Sequence, residues 1–60
     1  MSRKWNVWNV DRARQRALVV NEGKQADAEQ DAERRNAAAK KLGAESIEFV
    51  ALPDGQEPFK

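Results

Sequence analysis

Large hydrophobic residues are concentrated in three short runs, and none of these runs alternates cleanly between apolar and polar positions. The runs cover residues 5–10, 17–20 and 47–52, and each carries apolar side chains at both odd and even positions. Successive side chains of a strand point to opposite faces of its sheet, so strands formed by these runs would be apolar on both faces. One small helix covers only one face, and we therefore expect a partner to bury the other.

The segment between the second and third runs has the composition of a helix. Residues 24–42 are nearly all good helix formers, with acids early and Lys40 and Lys41 late, as the helix dipole prefers. Gly43 supplies a C-terminal stop. The pattern predicts a helix from about residue 24 to residue 42. The stripe expected to face the sheet consists of Ala28, Ala32, Ala39 and Leu42, with Arg35 in its middle.

The first and third runs predict strands at about 4–10 and 46–52, because their Trp, Val, Ile and Phe residues suit a pleated surface. For the segment between Asp11 and the helix there are two interpretations. Leu18 and its valine neighbours favour a hairpin loop followed by a strand at 16–21, whereas a helix over 12–22 capped by Asp11 is the alternative, since the loop lacks the glycine of a tight hairpin.

With the hairpin, the order of elements is ββαβ. This order predicts an α+β fold in which a three-stranded, mainly antiparallel sheet carries one helix packed on one face. The 60 residues then form a single small domain, with 53–60 as a tail. Domains of this size are usually marginally stable unless they are stapled or oligomeric.

The amino-acid composition excludes several classes of functional site. There is no Cys and no His, so disulfides, thiolate nucleophiles, imidazole bases and the common zinc sites are excluded. Acidic pairs at i,i+4 occur on the helix, such as Asp27 with Asp31, but they lack a third converging ligand. We therefore expect no enzymatic activity, no cofactor and no metal site.

The chain contains no candidate membrane segment. No stretch approaches the roughly 20 apolar residues of a membrane span. Asn6, Asn9 and Asp11 interrupt the apolar core that a signal peptide would need behind the basic N-terminus. We therefore expect a cytoplasmic protein that does not associate with membranes.

The two tryptophans are three residues apart, so on one strand they face opposite sides of the sheet. The tryptophan that is not under the helix would be costly to expose, and burial in a homodimer interface is the favoured interpretation. Packing under the C-terminal tail, for instance against Phe59, and burial by a heterologous protein partner are the alternatives. The residues predicted to form the interface are Trp5, Val7, Val19, Val50, Leu52 and Phe59.

Basic residues are concentrated in the first third of the chain. Residues 1–20 carry a net charge of +4, although the whole chain carries only +1. Arg12, Arg14 and Arg16 alternate in a way that would suit phosphate binding next to a tryptophan, which makes nucleic-acid binding the alternative function. The competing interpretation is that these arginines are solvated or paired with acids. The acids proposed as their partners are Glu45, Glu48 and Glu57.

Three segments resemble short uncharacterised proteins of actinobacteria and their phages. These segments are the opening Lys4 to Asp11, the alanine-rich helix that closes at Leu42 and Gly43, and the run Phe49 to Gly55. The resemblance implies a small intracellular accessory protein, and it assigns no functional residue. The function expected from the sequence is therefore that of a non-catalytic, homodimeric interaction module or regulatory protein that binds a macromolecular partner.

Overall fold

The computed structural model describes residues 3–59 and contains three strands and one helix. Strand β1 spans Trp5–Asp11, β2 spans Arg16–Gly23, helix α1 spans Gln25–Lys41 and β3 spans Ile47–Pro53. The strands form one sheet in the order β2-β1-β3, and both neighbouring pairs are antiparallel. The predicted α+β fold with ββαβ order is therefore confirmed, with β1 at the centre of the sheet.

The hairpin between β1 and β2 has no glycine in its turn, and hydrogen bonds to an aspartate side chain stabilise the turn instead. The Asp11 carboxylate accepts hydrogen bonds from the backbone N–H groups of Ala13 and Arg14, at 3.1 and 3.2 Å. Asp side chains stabilise turns in this way. Gln15 then adopts a φ of 53°, in the left-handed region. The alternative of a helix over 12–22 is wrong, because the chain enters the ladder with β1 from Arg16 onward.

Strand β2 contains a bulge near its middle. Val7 of β1 pairs with Asn21, whereas the next residue, Trp8, pairs with Val19, so Val20 is the additional residue. A bulge places two consecutive residues of one strand opposite a single residue of its neighbour. Val20 consequently packs against the cluster around Val7.

The core lies between α1 and one face of the sheet. Val7 is completely buried and packs with Ala28 and Ala32 of α1. Small alanine side chains let a helix lie close to a sheet that carries bulky residues. The partly buried residues around this centre are Trp5, Val20, Phe49 and Ala51.

Leu42 is predicted to belong to the apolar stripe of the helix, and this prediction is wrong. The three alanines of the stripe are buried, but Leu42 is 85% exposed. The reason is the C-terminal turn of α1, where the N–H groups of Gly43 and Ala44 donate to the carbonyl oxygens of Lys40 and Ala39, at 3.1 and 3.0 Å. This Schellman arrangement ends the helix at Lys41, so the Leu42 side chain leaves the stripe.

The C-terminal segment turns back across the face of the sheet opposite α1. In this turn, the Gln56 N–H donates to the Pro53 carbonyl at 3.0 Å, and Gly55 adopts a φ of 93° that favours glycine. Pro58 and Phe59 then lie beside side chains of the sheet. The tail is therefore part of the fold.

Candidate interaction surfaces

The two tryptophans of β1 face opposite sides of the sheet, as their spacing predicts. Trp5 packs with Val7 beneath α1, whereas Trp8 and Val10 lie on the side that the tail crosses. We call the side opposite α1 the outer face. Its main residues are Asn6, Trp8, Val10, Ala17, Val19, Val50 and Leu52.

The residues predicted to form an interface divide between the two sides. Val7 has no exposed surface, and Trp5 packs against the same buried cluster. Their assignment to a partner interface is corrected, because α1 already covers this side of the sheet. The other predicted interface residues lie on the outer face or in the tail that crosses it. They are Val19, Val50, Leu52 and Phe59.

The C-terminal tail covers the outer face incompletely. Trp8, Ala17, Pro58 and Phe59 line a groove of about 270 Å³. Pro58 and Phe59 also border a second groove of about 310 Å³, which contains Val50. The arrangement agrees with the alternative in which the outer tryptophan packs under the tail. Phe59 nevertheless remains 49% exposed, so apolar surface persists on this face.

Two polar atoms of the outer face are buried without a hydrogen-bond partner among residues 3–59. They are the indole Nε1 of Trp8 and the side-chain Oδ1 of Asn6. The other end of the Asn6 amide donates to the Asp54 carboxylate at 3.4 Å. A buried polar atom without a partner costs about 1–3 kcal/mol, and most such atoms in proteins are paired. The outer face thus holds one donor and one acceptor that its own tail leaves unused.

Asn36 of α1 occupies the free edge of β3. Its Nδ2 donates to the Phe49 carbonyl oxygen at 2.7 Å, and the Phe49 N–H donates to its Oδ1 at 2.6 Å. The side-chain amide thus bonds to Phe49 as a neighbouring strand would. The sequence analysis missed this residue. Its only signal was an asparagine, a poor helix former, within the interior of a strong helix.

The edge of β2 is open at its first residues. Because the backbone groups of Phe49 bond to α1, the opposite residue Asn9 directs its own groups towards β2. Leu18, paired with Asn9, then directs its groups towards β1. Its neighbours Ala17 and Val19 must therefore direct their N–H and C=O groups away from the sheet. In the described part of the chain, no side chain bonds to these outward groups as Asn36 does in β3.

The side chains of β2 add apolar surface to this open edge. Leu18 is 67% exposed and Val19 is 37% exposed. The strand begins with Arg16 and carries Glu22 near its end, and its bulge lies at Val20, after the open groups of Ala17 and Val19. The segment before the bulge contains neither proline nor lysine, and an exposed apolar edge of this kind is a template for pairing with another strand.

The three arginines of the predicted nucleic-acid contact do not form one free cluster. Arg12 forms an ion pair with Glu48, which confirms one of the predicted acid partners. Arg14 Nε lies 4.0 Å from the Asp11 carboxylate. Only Arg16 makes no ion pair within the described residues. Two of the three arginines therefore already have their charge partly compensated.

Asp31 connects α1 to β2. It accepts hydrogen bonds from Arg35 Nε at 2.7 Å and from Asn21 Nδ2 at 3.2 Å. The hydrogen bond from Arg35 is the main reason that the pKa of Asp31 is lowered, although desolvation opposes it in part. The Arg35 guanidinium also lies 5.8 Å from the centre of the Phe49 ring. The arginine that interrupts the apolar stripe thus covers one side of the core.

Across residues 3–59, no three acidic side chains are grouped as metal ligands. Nor does α1, the one helix of this part of the chain, have the length and apolarity needed to cross a membrane. Comparisons with protein-family models, curated proteins and solved structures find no match to the chain. The functional argument therefore depends on the surfaces described above.

Proposed function

We propose that this chain is a non-catalytic interaction module that self-associates through the open edge of β2. In the dimer, β2 of each copy pairs antiparallel with β2 of the other, and two three-stranded sheets become one of six strands. The observation that carries the proposal is the difference between the two edges. The Asn36 side chain forms hydrogen bonds with the outward N–H and C=O groups of Phe49. The outward groups of Ala17 and Val19 have no such side-chain partner within residues 3–59.

The charges of β2 suit an antiparallel pairing with a second copy. The strand starts with Arg16, and Arg14 precedes it, while Glu22 lies near the other end. Glu22 also bonds to Lys4 at 3.2 Å, but 58% of its side chain is exposed and remains accessible. An antiparallel copy brings the basic start of each strand near the acidic end of the other. Arg16 lies on the α1 side and Glu22 on the outer face, so this attraction favours the antiparallel direction without forming a direct cross-strand pair.

Pairing at this edge also removes apolar surface from water on both faces of the sheet. Leu18 lies on the α1 side, where it lines a groove with Asn9 and Ile47. Val19 lies on the outer face. Fully burying a side chain of this kind contributes roughly 1.5–3 kcal/mol, and each copy supplies both residues.

A small cytoplasmic accessory or regulatory protein is the biological role that such a module fits. Nucleic-acid binding through Arg12, Arg14 and Arg16 is the alternative function, and it has less support because Arg12 already pairs with Glu48. A heterologous protein that adds its own strand to β2 is a further alternative, since it would use the same backbone groups.

Sedimentation equilibrium of the pure chain tests the proposal. At tens of micromolar, the particle mass should be twice the 6.8 kDa of one chain. Val19→Pro removes one outward N–H and no hydrogen bond within the sheet, and proline is tolerated at strand edges. This variant should therefore sediment as a monomer with an unchanged far-ultraviolet circular dichroism spectrum.

Ala37→Lys, on the exposed side of α1, is the matched control and should remain dimeric. A monomeric unmodified chain, or a Val19→Pro variant that still dimerises, would contradict the proposal. A labelled oligonucleotide distinguishes the alternative function: binding at low salt that disappears when Arg14 and Arg16 are replaced by alanine would favour it.

A further inference from the structure

We infer that the outer face is a binding groove for an extended peptide of another protein, in which a proline precedes an aromatic residue, and that the C-terminal tail occupies this groove in cis. The site uses residues of β1 and β3 and the tail, and of the two open-edge residues of β2 only Ala17 borders it. The groove lies over the face of the sheet, whereas dimerisation uses the outward backbone groups of β2, so the two sites differ. The inference goes beyond self-association and does not require it.

The tail itself indicates what the groove accepts. Pro58 is half-buried, and Phe59 keeps 49% of its surface exposed. Both residues border the groove beside Trp8 and the groove beside Val50, of about 270 and 310 Å³. A water molecule occupies about 30 Å³ in the liquid, so each groove is much larger than a packing defect. The tail therefore has the right chemistry for the outer face but does not fill it.

An unpaired polar atom indicates one group that a better ligand would supply. Trp8 borders the groove with Pro58 and Phe59, and its Nε1 is a donor that is buried without a partner in the described part of the chain. An extended peptide presents a carbonyl oxygen and an N–H group at nearly every residue. Aromatic grooves recognise proline-containing peptides because these segments are already extended and lose little entropy on binding.

The geometry of the tail limits how it can use the groove beside Trp8. The Asp54 N–H donates to the Lys4 carbonyl at 2.8 Å, and the turn at Gly55 follows immediately. These contacts fix the direction in which the tail enters the outer face. Only a few residues lie between this turn and Phe59, so the tail cannot shift along the groove. A separate peptide is free of that constraint and can place a backbone carbonyl oxygen at the indole of Trp8, which borders the groove.

The experiment uses the full chain and an acetylated peptide that copies residues 53–59. Nuclear magnetic resonance separates the two indole N–H signals, and the peptide should shift that of Trp8 while that of Trp5 stays in place, because Trp5 lies beneath α1. Phe59→Ala should bind the peptide about tenfold more tightly, since the competing tail is weakened and a larger fraction of the grooves is vacant. Phe59→Leu keeps an apolar tail residue and should behave as the unmodified chain does.

A peptide with alanine in place of its phenylalanine should not bind. The inference is overturned if millimolar peptide shifts neither indole signal, or if it shifts both equally. It is also overturned if folded Phe59→Ala and the unmodified chain bind the peptide equally. Should Phe59→Ala not fold, the Trp8 signal of the unmodified chain decides. Repeating the titration with Val19→Pro separates this site from dimerisation, because the Trp8 shift should persist in a monomer.

Discussion

At the scale of single residues, the side-chain amide of Asn36 determines which edge of the sheet is open. It matches both the N–H and the carbonyl group of Phe49, at 2.6 and 2.7 Å. Exposed edges favour unwanted pairing, and proteins commonly protect them. Here, one edge is protected by a residue of the helix, and the other is left available over Ala17 and Val19.

Asn36→Ala should destabilise the fold and open the second edge. Two hydrogen bonds are lost, each contributing about 1 kcal/mol, while the better helix propensity of alanine returns at most about 0.7 kcal/mol. We expect a net loss of about 1 kcal/mol in urea unfolding, together with species larger than a dimer in sedimentation. Gln30→Ala, at an exposed position of the same helix, serves as the control and should cost nothing. Equal stability and equal particle size for both variants would show that Asn36 does not protect the edge.

The sequence predicted the opposite orientation of the two tryptophans, but its assignment of Trp5 to the interface was wrong, because Trp8 is the tryptophan on the outer face. Strand periodicity settles the first point, because residues three apart in a strand always face opposite sides. The second point depends on where α1 and the tail lie. Trp5 joins the core because α1 lies over it, and Trp8 meets Pro58 and Phe59 because the turn at Gly55 returns the chain across the outer face. These are long-range contacts that local patterns do not specify.

At the scale of elements, the packing of α1 against the sheet becomes looser towards its C-terminal end. Ala32 is 6% exposed and packs with Val7 in the core. Ala39 is also buried, at 9% exposed, but it lines a groove of about 500 Å³ with Ile47. The helix is therefore tightly packed near its middle and loosely packed near its C-terminal end.

Enlarging these alanines should reveal this gradient in thermal unfolding. Ala32→Leu should overpack the core and cost about 1–3 kcal/mol. Ala39→Leu should cost less, because the adjoining groove has room for the larger side chain. Ala37→Leu, on the exposed side of α1, should be nearly neutral. Equal effects at all three positions would mean that α1 does not pack on the sheet through its alanine stripe.

The order of elements was predictable because each element carries a local signal. Alanine content and end charges predicted α1, and the apolar runs predicted the strands. Two interpretations stayed open for the hairpin, since its turn depends on Asp11 accepting two backbone hydrogen bonds and on Gln15 in the left-handed region. Leu42 was misassigned because an apolar residue at a helix end continues the stripe in sequence even where the backbone has already turned.

At the scale of the whole molecule, the core is thin for an independent domain. Among the described residues, Val7 is the only larger side chain with almost no exposed surface, and most other buried residues are alanines. A domain of about 60 residues buries a small share of its surface and is usually only marginally stable. Dimerisation at the edge of β2 would therefore contribute a substantial part of the total stability.

If stability depends on the dimer, the melting temperature must depend on protein concentration. A tenfold increase in concentration favours a folded dimer over two unfolded chains by about 1.4 kcal/mol, which corresponds to a rise of about 5 °C for a dimer of this size. Differential scanning calorimetry over two decades of concentration measures this rise. Val19→Pro should melt at a lower temperature that no longer changes with concentration, because its folded state is a monomer. A constant melting temperature of the unmodified chain would show that the fold is stable without a second copy, and the open edge of β2 would then have to serve a different partner.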